Sequence, residues 1–145
     1  MAVHHVPKGF HSVTPYLTVE SAERLIEFIL KTFDAREVLR SRDAKGRISH
    51  AQVLVEGSMI ELSDGSPEWP ALRAALHVYV PDVDATYKKA LAAGATSLFE
   101  PKDMFYGERG AGVRDSNGLH FYLATHTEEV SEEELKRRME AAGEH

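Results

Sequence analysis

Five short runs of this chain set chemically capable side chains two residues apart. They are Thr14 with Tyr16, His50 with Gln52, Met59 with Glu61, His77 with Tyr79 (preceded at the same spacing by Ala75), and His120 with Tyr122. A spacing of two within an extended strand presents side chains on one face. Glu61 is the one carboxylate of the set and the candidate catalytic group. Among Met59, Tyr16 and Tyr122 it would be partly desolvated, which raises a carboxylate pKa toward neutrality and suits a general base acting next to a carbonyl. A charged histidine nearby would oppose that shift. The plainer alternative is a fixed acceptor for a ligand or a tyrosine hydroxyl. His50, Glu61 and His77 together would make a His/His/Glu set suited to zinc, nickel or iron, with His120 able to join. Alternatively, the same histidines line a polar pocket and hydrogen-bond a ligand or one another. Tyr16, Tyr79 and Tyr122 supply an aromatic wall for a flat organic molecule.

These side chains need strands to hold them, and the strands come in two copies. TPYLTV at 14–19 matches ALHVYV at 75–80, and SMIELSD matches LHFYLAT. Thr14 to Ala75 and Glu61 to Tyr122 are each 61 residues apart. A self-match at fixed offset means a repeated supersecondary unit. In the first copy a strand spans 12–19, with Val13, Leu17 and Val19 on one face. Pro15 marks it as an edge or bulged strand. Ser21 caps a helix carrying Leu25, Ile26, Ile29 and Phe33 at helical spacing and ending near Asp34. Strands follow at 36–42, 48–56 and 58–64, the last two joined at Gly57. The second copy repeats the order: a strand at 75–79, a helix capped by Asp82 or Asp84 and closed at Gly94, a strand within 97–107, and a hairpin over DSNG. The expected organisation is a single domain over 1–145. It comprises a β-α-β-β-β unit at 12–64, a linker at 65–73, a second such unit at 74–126, and a C-terminal helix and tail at 127–145. Ser131 and Glu134 form a capping box for that helix.

Composition narrows the classes. The chain of 145 residues carries a net charge of −6, which is unsuited to nucleic-acid binding by bulk electrostatics. The absence of cysteine excludes a disulfide framework, a thiolate nucleophile and Cys-ligated metal. No apolar run reaches the length of a membrane span, and the first residues lack the apolar core of a secretory signal. A cytoplasmic location is expected.

Two β-α-β-β-β units with these blocks resemble the vicinal oxygen chelate superfamily, which includes glyoxalase I, bleomycin-resistance proteins and extradiol dioxygenases. The resemblance covers roughly residues 12–126. PYLTVESAERLIEFILKTFDA, GRISHAQVLVEGSMIELSD, HVYVPDVDATYKKALAAGA and MFYGERGAGVRDSNGLHFYLATH look closest to the PhnB-like branch. It implies an α+β fold in which two units curl a mixed sheet into a cup with helices outside, and it implies a homodimer. Metal-dependent members keep four ligands at positions that carry over to Thr14, Glu61, Ala75 and Tyr122. Alanine has no donor, and threonine and neutral tyrosine are poor ligands. The resemblance therefore implies a small-molecule pocket without the usual metal quartet. That pocket would be lined by Thr14, Tyr16, His50, Gln52, Met59, Ala75, His77, Tyr79, His120 and Tyr122. No cofactor is favoured, and a divalent metal (zinc, nickel or iron) is the alternative.

Two functions remain open at this point. One is a binder that sequesters an organic compound. The other is a glyoxalase-type lyase or isomerase using Glu61 or the His50/Glu61/His77 metal. Around the pocket, Phe105 and Tyr106 are wall or core. Trp69, between two prolines, covers a core edge or a dimer contact. The glycines of GERGAG fit a hairpin better than a phosphate loop because no helix follows. Arg109 and Arg114 are solvated or structural charges that could still contact an anion.

Overall fold

The alternation in the strands and the 3.6-residue period of the helices build two copies of one unit. The computed structural model describes residues 2–143. The first unit is β1 (Tyr16–Val19), α1 (Ala22–Thr32), β2 (Ala35–Arg42), β3 (Ile48–Val55) and β4 (Ser58–Asp64). The second is β5 (Ala75–Tyr79), α2 (Val83–Ala92), β6 (Thr96–Met104), β7 (Glu108–Arg114) and β8 (His120–His126), and α3 (Glu132–Ala141) follows. Each unit makes a four-stranded mixed sheet, in the orders β1-β4-β3-β2 and β5-β8-β7-β6. The first pair in each is parallel and the others antiparallel. This is the α+β fold expected from the repeat.

The 61-residue offset extends to the local chemistry. Ser21 Oγ accepts from the Arg24 amide and Asp82 Oδ1 from the Ala85 amide, so equivalent residues cap α1 and α2. Asp64 Oδ1 accepts from the Ala22 amide at 2.7 Å, and Thr125 Oγ1 accepts from the Val83 amide at 2.9 Å. A side chain at the end of each last strand thus ties down the start of its unit's helix.

The helices cover one face of each sheet and pack against one another. Leu25, Ile26 and Ile29 of α1 and Val83 and Ala90 of α2 are buried with Leu17, Val19, Ala51, Val53, Leu62, Ala111, Val113 and Leu123. Phe121 joins the halves, with its ring 5.2 Å from Phe28 and 6.0 Å from Phe33. Asn117, in the β7–β8 hairpin, exchanges two hydrogen bonds with the backbone of Ser21. Among the described residues no strand of one sheet comes within 8 Å, Cα to Cα, of a strand of the other.

The first strand is shorter than the expected 12–19. It starts at Tyr16, and Val13, expected on the helix-facing side, is 88% exposed. Proline has no amide to add to a ladder. The Pro15 carbonyl makes the last rung, accepting from the Glu61 amide at 2.9 Å. The Gly65 amide extends the β1–β4 ladder by donating to the Val19 carbonyl at 2.7 Å, and the segment between the units returns along the free edge of β1, where the Leu72 amide donates to Thr18 at 3.0 Å. Among the described residues no helix is long and apolar enough to cross a membrane.

Candidate functional site

The face of each sheet turned away from the helices carries the chemically capable residues. On the first sheet, β4 stands between β1 and β3, and Glu61 has Tyr16 and Gln52 as its Cα partners. His50 Nε2 lies 3.5 Å from Glu61 Oε1 and 3.3 Å from Gln52 Nε2. These two contacts belong to different proton positions. With no proton on Nε2, His50 accepts from the Gln52 amide, and with a proton there it faces the Glu61 carboxylate. The Tyr16 ring is 6.0 Å from that of His50 and is half exposed.

On the second sheet, His77 pairs with Tyr122, Ala75 with His120, and Tyr79 with Ala124. The His77 and Tyr79 rings lie 4.7 Å apart. His120 Nδ1 is 3.3 Å from the Tyr122 hydroxyl. The main surprise is Glu108 at the start of β7. It is only 9% exposed, accepts a short hydrogen bond from the Tyr79 hydroxyl, and has His77 Nε2 3.9 Å away. That hydrogen bond holds the phenolic proton, so Tyr79 ionises above the ordinary tyrosine value. Burial and the negative charge of Glu108 act in the same direction.

Glu108 is absent from the set read from the strand spacing because its face depends on a register offset. Gln52 pairs with Glu61, but Gly112 pairs with Tyr122, so β7 follows β3 by 60 residues rather than 61. One residue changes which side of a strand a side chain occupies. Glu108, Gly110 and Gly112 therefore share the open face, and Ala111 and Val113 face the helix. The two glycines make room for β6. A Cβ at Gly112 would fall 2.5 Å from the Phe99 ring, and one at Gly110 would fall 3.2 Å from Met104.

The four positions that the resemblance carries over as ligands, Thr14, Glu61, Ala75 and Tyr122, do not fit a divalent ion here. Thr14 lies outside β1, and its hydroxyl donates to the His11 carbonyl at 2.7 Å. Ala75 has no donor. Glu61 and Tyr122 lie on sheets whose strands stay apart. In the other candidate set, His50 and Glu61 are neighbours, but His77 is on the second sheet beside Glu108. Among the described residues no group of three or more His, Cys, Asp or Glu is arranged to hold a metal ion.

Five of the ten expected pocket residues line hollows, and those five are spread over three. One, of about 510 Å³, lies against Tyr16, Thr18, Ser63 and Arg47, with Trp69 over it. A second, of about 460 Å³, lies between β5 and the β3–β4 hairpin and is lined by Met59, His77, Tyr79, His11 and Phe121. A third, of about 560 Å³, takes in His120. Thr14, His50, Gln52, Glu61, Ala75 and Tyr122 line none of the three. Trp69 is 70% exposed, so it covers a surface hollow rather than a core edge.

Comparison with known proteins places this geometry among relatives. The family model for the Glyoxalase/Bleomycin resistance protein/Dioxygenase superfamily matches residues 4–123. An uncharacterized protein of Mycobacterium bovis is 31% identical over 143 residues, covering 91% of this chain and 94% of that protein. TioX from Micromonospora sp. ML1 superposes with a TM-score of 0.68 at 25% identity, over 80% of this chain and 98% of its own. TnmS3, an antibiotic binding protein from Streptomyces sp. CB03234, gives 0.62 at 25% identity, over 88% and 99%. A PhnB protein from Bacillus cereus shares the fold, with a TM-score of 0.63 at 21% identity over 79% and 99%.

Proposed function

The chain belongs to the glyoxalase/bleomycin resistance protein/dioxygenase superfamily, and we propose that it binds a small, flat organic compound on the open faces of its sheets, without the metal quartet of its metal-dependent relatives. The observation that carries this reading is the exposure of its aromatics. Tyr16 is 50% exposed, Tyr79 55% and Trp69 70%, and each borders a hollow. Large aromatic side chains left open beside a hollow are poorly explained as core and well suited to stacking on a ligand. The hollows, at about 460–560 Å³, lie within the usual range for ligand sites. The similarity to an antibiotic binding protein supports the same class of activity. The protein acts as a homodimer in this reading, so that the open faces are partly covered by a second copy.

Trp69 is the single tryptophan of the chain and reports on the first hollow. A panel of planar aromatic natural products is titrated against the protein while Trp69 emission and melting temperature are followed. Saturable quenching with a raised melting temperature is the expected result. The second reading, a lyase or isomerase, is favoured by one observation: Glu61 is held 3.5 Å from His50, an arrangement able to accept and pass a proton. Turnover of a carbonyl substrate that Glu61→Gln abolishes, with no compound in the panel binding, would replace the binder by the enzyme.

A further inference from the structure

The third hollow differs from the other two in its charge. Its lining is Arg73, Ala74, Arg114, Gly118 and His120, so every titratable group in it is basic, on a chain whose net charge is −6. Arg114 and His120 are Cα partners across β7 and β8 and project from the same face. Arg73 is brought to them by the His120 amide, which donates to the Ala74 carbonyl at 3.2 Å. Neither Arg73 nor Arg114 has a side-chain hydrogen bond or ion-pair partner among the described residues.

The nearest acid in sequence does not neutralise them. The carboxylate of Asp115 is turned into its own hairpin, where it accepts from the amides of Asn117 at 3.0 Å and Leu119 at 2.8 Å, and the residue is 5% exposed. Arg109, the other arginine of β7, sits on the opposite face and is spent on Asp84 and Asp103. Arg47, in the first hollow, is likewise tied to Asp43. The third hollow therefore keeps two free guanidinium groups and an imidazole directed at one space. A Cβ at Gly118 would meet nothing within 4 Å, so the hairpin leaves the entrance open.

We propose that Arg73, Arg114 and His120 form an anion-binding subsite, one that takes a carboxylate or phosphate group. Guanidinium groups bind both through paired, charge-assisted hydrogen bonds. Converging cations without a counter-charge repel one another, and an anion removes that repulsion. This inference goes beyond the reading above, and its test needs no organic ligand from that panel.

The test is a titration of the intact protein with inorganic phosphate and, separately, with benzoate, followed by backbone amide chemical shifts. Saturable shifts confined to the residues around 73–75 and 114–120 are expected with at least one of the two. Phosphate alone saturating identifies a phosphorylated group, and benzoate alone identifies a carboxylate. The double variant Arg73→Gln/Arg114→Gln breaks no side-chain hydrogen bond or ion pair among the described residues and should stay folded while weakening the anion by about tenfold or more. Arg73→Lys/Arg114→Lys, which keeps the charge but loses the fork, should weaken it less. Absence of saturation by both anions at millimolar concentration, or equal affinity in the wild type and the glutamine variant, would overturn the proposal.

Discussion

The Tyr79 hydroxyl donates a short hydrogen bond to the largely buried carboxylate of Glu108, across the open face of the second sheet. The donor is half exposed beside a hollow and the acceptor is not, so the pair fixes the position of the aromatic ring a ligand would meet.

This bond has a measurable signature. Tyr79 is raised above the ordinary tyrosine value of 10.0, chiefly by its hydrogen bond to Glu108. A raised folded-state pKa gives a contribution that is complete below the unfolded pKa and lost as pH climbs through the folded one. The Tyr79 contribution therefore persists through neutral pH and fades in alkali. In an ultraviolet titration of the five tyrosines, one should ionise late, and Glu108→Gln should move that one back toward the ordinary value. An unchanged titration curve in the variant would count against the pairing.

The last strand of each unit anchors its helix, by a stronger device in the first unit than in the second. Asp64 accepts from two backbone amides, Ala22 and Ile48, whereas Thr125 accepts from Val83 alone and donates to Val80. Asp64→Ala should cost about 2–3 kcal/mol and Thr125→Val about 1–2 kcal/mol, because the first strands two partly buried backbone N–H groups and the second strands one N–H and leaves the Val80 carbonyl without the hydroxyl. Urea unfolding measures both, and the reverse ranking would contradict this assignment.

Phe121 packs at the junction of the halves. It is 1% exposed and packs on Phe28 and Phe33 of the other unit. Phe121→Ala should destabilise by about 3–5 kcal/mol. It should also separate the unfolding of the two units, which is visible as non-coincident transitions by different probes.

The C-terminal helix is held by charge rather than by burial. No residue of α3 is buried, while Arg138 reaches the Phe105 carbonyl at 3.0 Å and Glu128 at 2.7 Å. Arg137 and Arg138 hold Glu134 down at about 2. A depressed carboxylate contributes above its unfolded pKa and ceases to contribute as pH falls through the folded one, so α3 should loosen in acid. It should also loosen at high salt and in Arg138→Ala, with faster amide exchange in 132–141 and little change in the sheets.

The open aromatics should bear on binding and not on stability. Tyr16→Ala should leave the unfolding free energy within about 0.5 kcal/mol, as expected for an exposed site. It should weaken any compound that quenches Trp69. A compound that quenches Trp69 equally well in the variant does not occupy the first hollow.

Much of the fold was legible in the order of residues. Ser21 and Asp82, Leu25 and Ile29, and the alternation of Ala51 and Val53 against His50 and Gln52 are local patterns, and local patterns set caps, helix faces and strand faces. The 61-residue offset doubled each inference, because a feature present in both copies is unlike a chance match. The strand expected over 12–19 is too long, since Val13 fits the alternation while Pro15, which the sequence marks as an edge or bulge, lacks the amide that would continue the ladder. The grouping of the site depended on tertiary structure. His50, Glu61 and His77 share a predicted face in sequence, yet the two sheets meet through their helices, which leaves His77 with Glu108 and Glu61 with His50. Glu108 itself was hidden by a single residue. Projected by 61, Gln52 falls on Val113, which is fully buried against the helix, and the ladder instead pairs Gly112 with Tyr122. Strand spacing establishes which residues share a face. Which face it is, and what stands opposite, is decided by register and by how the two units pack.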